Sequence, residues 1–193
     1  MGMRMGMGMG HSIASKASLK ELYIHDVSFL LNSPNHEHHF SEGFVNLERL
    51  SLHGCRNVLS LNTLELDNMP VLQHLFVDEC SHFQRISISA NVSRLRVVEI
   101  TTCAALEQIE FVDWKDLQIL NLNRCQSLNR ISSFTSLKQL KSLNLSYCSC
   151  LEFSLEDLAN LPQLQHVRPK WCLHRIQQYR QQHHSGNVLR LSQ

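Results

Sequence analysis

Apolar residues recur along the chain in a fixed order that is clearest between residues 117 and 131, LQILNLNRCQSLNRI. The skeleton of this stretch is L-x-x-L-x-L-x-x-C-x-x-L-x-x-I. Leu120 and Leu122 alternate around one polar residue, which is the period of a short strand with one buried face. After Cys125 the apolar spacing lengthens to three residues, which favours a helical or 3₁₀ turn. One such unit cannot bury its apolar face alone, so it requires a copy on each side.

Copies of this unit fill most of the chain, with weaker versions at both ends. The seven units begin at Leu19, Leu47, Leu72, Leu95, Leu117, Leu140 and Leu164. Successive units are separated by 22 to 28 residues. This period and skeleton are those of a leucine-rich repeat. The sequence therefore predicts an α/β solenoid, an arc with a parallel concave β-sheet and an irregular, 3₁₀ or short-helical convex side.

The repeats divide the chain into three parts. Residues 1–18 begin as a Met/Gly-rich run that gains little from ordering, so we expect a disordered tail. The solenoid of about seven repeats is predicted to span 19–172, and residues 173–193 are predicted to form a cap or tail. Pro169 stands at a strand position of the last unit. Because proline has no N–H to donate, the last strand is predicted to lie at the edge of the sheet.

Composition and charge narrow the function classes. A net charge of +1 and a pI near 7.7 give no field that would attract nucleic acid or an acidic membrane. No run of about 18 apolar residues occurs, so no membrane span is expected. The sequence contains neither G-x-S-x-G nor the phosphate-binding G-x-x-x-x-G-K-[ST], and no paired nucleophile and base at a usable spacing. We therefore expect no enzymatic activity, no catalytic residue and no cofactor.

Cysteine and histidine are the residue types that could support metal or redox chemistry. Five of the seven cysteines share one repeat position and Cys172 occupies it in the last unit, so their side chains should stack in one direction. That arrangement disfavours disulfides, and each thiol is predicted to be buried and to donate weakly to a carbonyl of the adjacent coil. Reduced thiols indicate an intracellular location, the cytoplasm or alternatively the nucleus. The His-rich segment 36–39 lacks the H-E-x-x-H spacing, so it is predicted to be a solvated loop without metal.

Polar positions between the strand leucines define the surface best placed to bind a partner. Side chains alternate across a strand, so these positions should form columns on the concave face, with an acidic centre and a basic, aromatic C-terminal end. Arginine, tyrosine and tryptophan are frequent interface hot spots, which makes this end the centre of a predicted protein-binding surface. The predicted residues are Tyr147, Arg168, Lys170 and Trp171, together with Arg124, Asp78, Glu79 and Glu99. The alternative is an ordinary solvated face, with Trp171 covering the last coil.

The repeat units also resemble those of a known family. The units LERLSLHGCRNVLSL, LQILNLNRCQSLNRI and LKSLNLSYCSCLEFS are similar to the C-terminal repeats of plant nucleotide-binding leucine-rich-repeat disease-resistance proteins. The resemblance covers residues 19–172. It implies an intracellular sensing or autoinhibitory module that recognises a pathogen effector or a guarded host protein. The nucleotide-binding domain of that family has no counterpart in this sequence, so nucleotide switching is not implied.

Two alternatives remain open. The cysteine after the strand also resembles the repeats of F-box substrate receptors, which recruit targets for ubiquitin transfer. Those repeats are more regular, and no F-box-like helical segment precedes Leu19. The other alternative is a stand-alone or truncated scaffold protein.

Overall fold

The computed structural model describes most of the repeat region and short segments at both ends. The described residues are 2–5, 16–26, 43–55, 66–88, 94–111, 114–132, 134–152, 158, 160–170 and 190–191. The His-rich segment 36–39, Trp171 and Cys172 lie outside them. Within the described residues, no helix is long and apolar enough to cross a bilayer.

A nine-stranded parallel sheet forms one side of the molecule. In sheet order its strands are β1 (Gly2–Met5), β2 (Glu21–His25), β3 (Arg49–His53), β4 (His74–Asp78), β6 (Val97–Thr101), β8 (Ile119–Asn121), β10 (Ser142–Asn144), β11 (His166–Arg168) and β12 (Arg190–Leu191). Strands β2 to β11 of this list come from the seven repeat units, and each unit pairs with the next in register. Leu75, for example, lies between Leu50 and Val98. The chain is therefore the predicted leucine-rich-repeat solenoid, with this sheet on its concave side.

A second parallel sheet lies on the opposite side of three central coils. Its strands, in order, are β5 (Arg85–Ile88), β7 (Gln108–Phe111) and β9 (Arg130–Ile131). Ile86, Ile109 and Ile131 pair across it, and the first two are buried. The sequence predicted irregular or helical structure here, but R-I-S-I and Q-I-E-F alternate with the period of a strand. Helices of the predicted 3₁₀ type occur at Lys16–Ser18, Leu66–Asn68 and Phe134–Ser136.

The core is a continuous stack of buried aliphatic and cysteine side chains between the two sides. A second buried column, which the repeat skeleton omits, lies three residues before the leading leucine of a unit. Its members are Phe44, Met69, Trp114, Leu137 and Leu161. The N–H of each following leucine donates to the carbonyl of that residue at 3.1–3.3 Å. Each turn into a strand is thus closed by one backbone hydrogen bond and one buried side chain.

Both ends of the sheet differ from the sequence prediction. Gly2–Met5 pairs with β2, and Lys16–Ser18 is helical, whereas the sequence predicted disorder throughout 1–18. The edge groups of β2 need hydrogen-bond partners, and a parallel strand supplies them from its backbone without any demand on side chains. At the other end β12 pairs with β11, so β11 is not the predicted edge strand. Pro169 is buried but follows β11, because the strand ends one residue before the proline.

A left-handed residue ends the sheet segment of six successive coils. These residues are Asp26, Gly54, Glu79, Thr102, Arg124 and Tyr147, with φ between 51° and 64°. The N–H of each donates to a carbonyl of the next coil at 2.7–3.2 Å, as Thr102 does to Asn123. The reversal of φ therefore turns the chain out of the sheet while keeping it hydrogen-bonded to its neighbour.

Leu120→Ala is expected to lower the free energy of unfolding by about 2–5 kcal/mol, because Leu120 is fully buried between coils on both sides. Leu164→Ala should cost less, since Leu164 is only half-buried. Denaturant melts of the two variants measure the difference. Equal losses of stability in the two variants would contradict the conclusion that Leu120 is packed more completely than Leu164.

Gly54→Ala is expected to destabilise the fold by about 1–2 kcal/mol, because the left-handed conformation at Gly54 is unfavourable for a residue with a Cβ. An added Cβ would also lie 2.6 Å from Asp26 Oδ1. The double variant Asp26→Ala/Gly54→Ala removes that contact and isolates the backbone contribution. A thermal melt of Gly54→Ala that matches the parent protein would refute the argument.

Candidate binding surface

Columns of side chains cross the open face of the large sheet, which is the face turned away from the core. One column consists of Tyr23, Ser51, Phe76, Glu99, Asn121, Asn144 and Arg168, all in register. The next begins with His25, His53, Asp78 and Thr101, also in register. All of these side chains are half-buried or exposed. The strand pairing thus places side by side the residues that the sequence assigned to common columns.

The acidic part of the face is a network of carboxylates and histidines. Thr101 Oγ1 donates to Asp78 Oδ1 at 2.6 Å, and His53 Nδ1 lies 3.3 Å from Asp78 Oδ2. The other ring nitrogen of His53 lies 3.8 Å from Glu79 Oε2. The His25 and His53 rings meet edge to face, with centroids 5.5 Å apart. The sequence predicted both acids for this surface but not His53, which contacts them and occupies the same column as Asp78.

Glu99 is oriented by a neighbouring asparagine. Asn121 Nδ2 donates to Glu99 Oε2 at 2.9 Å, and Asn121 Oδ1 accepts the N–H of Asn123 at 3.2 Å. Asn144 Oδ1 accepts the N–H of Ser146 at 3.0 Å in the same way. Such side-chain turns satisfy the backbone where β8 and β10 end after only three residues. One oxygen of the Glu99 carboxylate is therefore bound by an amide that is itself fixed to the backbone.

A strip of apolar side chains, which the sequence did not predict as part of the binding surface, crosses the same face. Val97 and Ile119 are neighbours on β6 and β8, and Ile119 is 39% exposed. His74 precedes Val97 in the same row, and its ring stacks on that of Phe76 with centroids 6.2 Å apart. Burial, and after it two nearby guanidinium groups, lower the pKa of His74. The strip thus joins an uncharged stack to exposed aliphatic surface beside Glu99.

Arg124 and Tyr147 contact each other where the face turns basic. The guanidinium carbon of Arg124 lies over the Tyr147 ring, 5.6 Å from its centroid. Beside them is a depression of about 400 Å³. Its described lining consists of Thr102, Ala104, Arg124, Gln126 and Tyr147. The sequence did not predict Thr102, Ala104 or Gln126 for this surface, because the depression forms only where three coils meet.

Arg168 and Lys170 extend the basic end by one coil, and both side chains are exposed. Their backbone is fixed by the preceding coil. Ser146 Oγ donates to the Arg168 carbonyl at 3.3 Å, and the Tyr147 N–H donates to the Lys170 carbonyl at 2.7 Å. Trp171, the remaining residue predicted for this surface, lies outside the described residues. The fold therefore holds Arg168 and Lys170 next to Tyr147, on the coil that follows it.

The five described repeat cysteines lie in the core and not on the open face. Cys103, Cys125 and Cys148 each direct Sγ at a carbonyl of the preceding coil, at 3.9, 3.3 and 2.9 Å, as the sequence predicted. Cys55 and Cys80 instead donate to the carbonyls of His53 and Asp78 in their own coils, at 3.6 and 3.5 Å. Burial raises the pKa of the Cys125 thiol to about 12, and a hydrogen bond between the Cys80 and Cys103 side chains is the main cause of a similar rise in the pKa of Cys80. Among the described residues, no three His, Cys, Asp or Glu side chains form a group that could hold a metal ion.

Comparisons with known proteins concern the fold alone. No family model matches the chain. No curated protein matches it either. The leucine-rich repeat domain of the type III effector XopL is similar over 64% of this chain, with 17% identity and a TM-score of 0.41. An internalin of Listeria monocytogenes is similar over 79% of this chain, with 17% identity and a TM-score of 0.33. The chain spans 54% of the first structure and 61% of the second.

The buried thiols are expected to resist alkylation in the folded protein. At pH 8 a thiol with a pKa of about 12 is ionised in about one molecule in ten thousand, and only the thiolate reacts. Cys150 is exposed and should react with iodoacetamide within minutes to hours. Mass spectrometry of a Cys172→Ser variant, alkylated with and without denaturant, shows which cysteines have reacted. If Cys125 in the folded protein were alkylated as fast as Cys150, the cysteine column would be accessible to solvent.

Proposed function

We propose that the chain is a non-catalytic protein-recognition module that binds a protein partner on the open face of the large sheet. The supporting observation is the register of that sheet, which gathers side chains from seven coils into one surface. The sheet backbone is already paired between coils, so a partner resting on this face meets side chains. A broad array of half-buried polar, aromatic and aliphatic side chains suits a macromolecule better than a small substrate.

The basic end is proposed as the centre of this surface. It comprises Tyr147, Arg168, Lys170 and Trp171, with Arg124 beside them. The acidic residues Asp78, Glu79 and Glu99 lie on earlier coils of the same face. Acidic residues at the centre of the face and basic residues at its C-terminal end favour a partner with the complementary arrangement and fix its direction along the solenoid.

The finer proposal is the ligand-sensing repeat region of a plant immune receptor-like protein, acting in the cytoplasm or nucleus. Its partner would be a pathogen effector or a guarded host protein. Support comes from the resemblance of the cysteine-containing repeat and from the buried thiols of the described coils, which are not joined in disulfides and suit a reducing compartment. The F-box-type alternative rests on the same cysteine position. Co-purification with ubiquitin-ligase adaptors would favour that alternative, whereas capture of neither kind of partner would favour a scaffold.

The double variant Arg168→Glu/Lys170→Glu is expected to reduce partner capture from plant-cell extract by about tenfold or more. Each hot-spot residue typically contributes more than about 1 kcal/mol, and 1.4 kcal/mol corresponds to a factor of ten. Both side chains are exposed, so the fold should be unaffected. Quantitative mass spectrometry of captured proteins measures the loss.

Arg130→Glu/Lys138→Glu is the matched control for this experiment. It makes the same change in net charge at two exposed positions away from the open face, one of them in β9. Capture by this variant should equal that of the parent protein. If both double variants captured the same proteins in equal amounts, the basic end would not be the binding centre.

A further inference from the structure

We propose that the depression beside Arg124 and Tyr147 is a pocket for a carboxylate side chain, an aspartate or glutamate in an acidic segment of the partner protein. This inference rests on the proposed function, because it specifies the chemistry of the protein that the surface binds.

The pocket is formed by equivalent positions of three successive coils. Thr102, Arg124 and Tyr147 all have left-handed backbone and stack at the same edge of the large sheet, so their side chains leave the chain in a common direction. Ala104 and Gln126 follow two of them and complete the described lining. The volume of about 400 Å³ is at the lower end of the range for ligand sites, about 300–1,000 Å³. It suits one or two side chains of a partner.

Arg124 gives the pocket its charge. It is the only charged residue in the described lining, and no carboxylate of the described residues forms an ion pair with it. Thr102, Gln126 and Tyr147 contribute further hydrogen-bonding groups around the same space. A partner carboxylate would therefore supply the negative charge that the described residues do not place there.

The contact with Tyr147 prepares Arg124 for such a partner. A guanidinium held by its face over an aromatic ring keeps its N–H groups, which lie in its plane, available for a second contact. Carboxylates accept two parallel N–H bonds from this fork. The tyrosine ring thus restricts the guanidinium without using the donors that recognise the ligand.

The backbone of the pocket cannot bind the anion instead. The N–H groups of Thr102, Arg124 and Tyr147 donate to carbonyls of the next coil at 2.9, 2.9 and 2.7 Å. Recognition therefore depends on side chains, and on the guanidinium above all. A change from arginine to lysine retains the charge but removes the fork, so it should weaken binding measurably.

The backbone at these positions is also one that glycine adopts most easily. Gly54 occupies the same place in an earlier coil, with φ of 64°. A side chain there raises the backbone energy by about 1–2 kcal/mol, and Thr102 is in addition β-branched. The same conformation recurs at Asp26 and Glu79, so it belongs to the repeat, and the side chain at each such position is what differs from coil to coil.

The surroundings favour an acidic segment over an isolated carboxylate. Arg168 and Lys170 follow on the next coil and continue the positive charge. Asp78 and Glu79 lie on the other side, two to three coils away, and would repel the same segment if it shifted towards them. The occupant is thus placed over the C-terminal coils.

The test is an NMR titration of the full chain, with arginine side chains labelled, using the peptide acetyl-Ser-Glu-Ser-Glu-Ser-amide. The Nε–Hε signal of Arg124 should shift to saturation, while that of the exposed Arg130 should not. The same peptide with glutamine in place of glutamate should leave both signals unmoved. Arg124→Lys should raise Kd at least fivefold and Arg124→Gln at least tenfold. Unchanged backbone spectra establish that these variants are folded.

Several outcomes would overturn the proposal. The Arg124 and Arg130 signals could move equally, or the glutamine peptide could act as well as the glutamate peptide. Inorganic phosphate or a short RNA could shift Arg124 at lower concentration than the peptide, which would assign the pocket to a phosphate group. The peptide could leave the Arg124 signal unchanged while Arg168→Glu/Lys170→Glu still abolishes capture of the partner protein. That result would reject the carboxylate pocket but support the proposed function. If the peptide shifts the Arg124 signal but the double variant captures the partner normally, the pocket is supported and the proposed binding centre is rejected.

Discussion

Register between neighbouring coils is the constraint on which the rest of the structure depends. A strand of three to five residues has too little apolar surface to fold alone, and each becomes stable only between two others. Leu75 is buried because Leu50 and Val98 flank it, and the same pairing sets Phe76 between Ser51 and Glu99 on the opposite face. A slip of one residue would expose the leucines and bury the polar column. Core packing and surface composition are therefore fixed by one choice of alignment.

Each of the six left-handed residues contributes its backbone to the fold and, except at Gly54, its side chain to the surface. Its backbone groups continue the ladder between coils whichever side chain it carries, as the different residues Asp26, Thr102 and Tyr147 show. The side chain contributes little to the core, so its chemistry can change from coil to coil at a modest cost in backbone strain. The array thereby presents an ordered series of different groups on a uniform frame. The depression beside Arg124 is one product of that arrangement.

The sequence predicted those features that depend on side-chain periodicity. Leucines at alternating positions specify both the strand and its buried face, so the columns of the open face followed directly. The strand β1 was not predicted: Met3 and Met5 alternate and pair with Leu22 and Ile24, but two methionines in a Met/Gly-rich run are too short a pattern to indicate a strand. Side-chain contacts between coils on the open face were also missed. Whether His53 reaches Asp78, or Arg124 reaches Tyr147, depends on rotamers and on the lateral offset of side chains, which a one-dimensional pattern does not contain.

The division of charge along the open face is short enough to discriminate between partners even at cellular salt concentration. Adjacent strands are about 4.8 Å apart, so the left-handed positions of Glu79 and Arg124, two coils apart, are separated by roughly 10 Å. The Debye length at 0.15 M salt is about 8 Å. An acidic group in contact with Arg124 therefore interacts fully with that guanidinium, while its repulsion from Glu79 is reduced by screening to a minor contribution. A displacement by a single coil towards Glu79 places the group about equally far from both side chains, so the attraction to Arg124 weakens and the repulsion from Glu79 offsets it. Position along the solenoid is thus selected within one repeat, which allows a protein of near-zero net charge to bind a charged segment in a defined place.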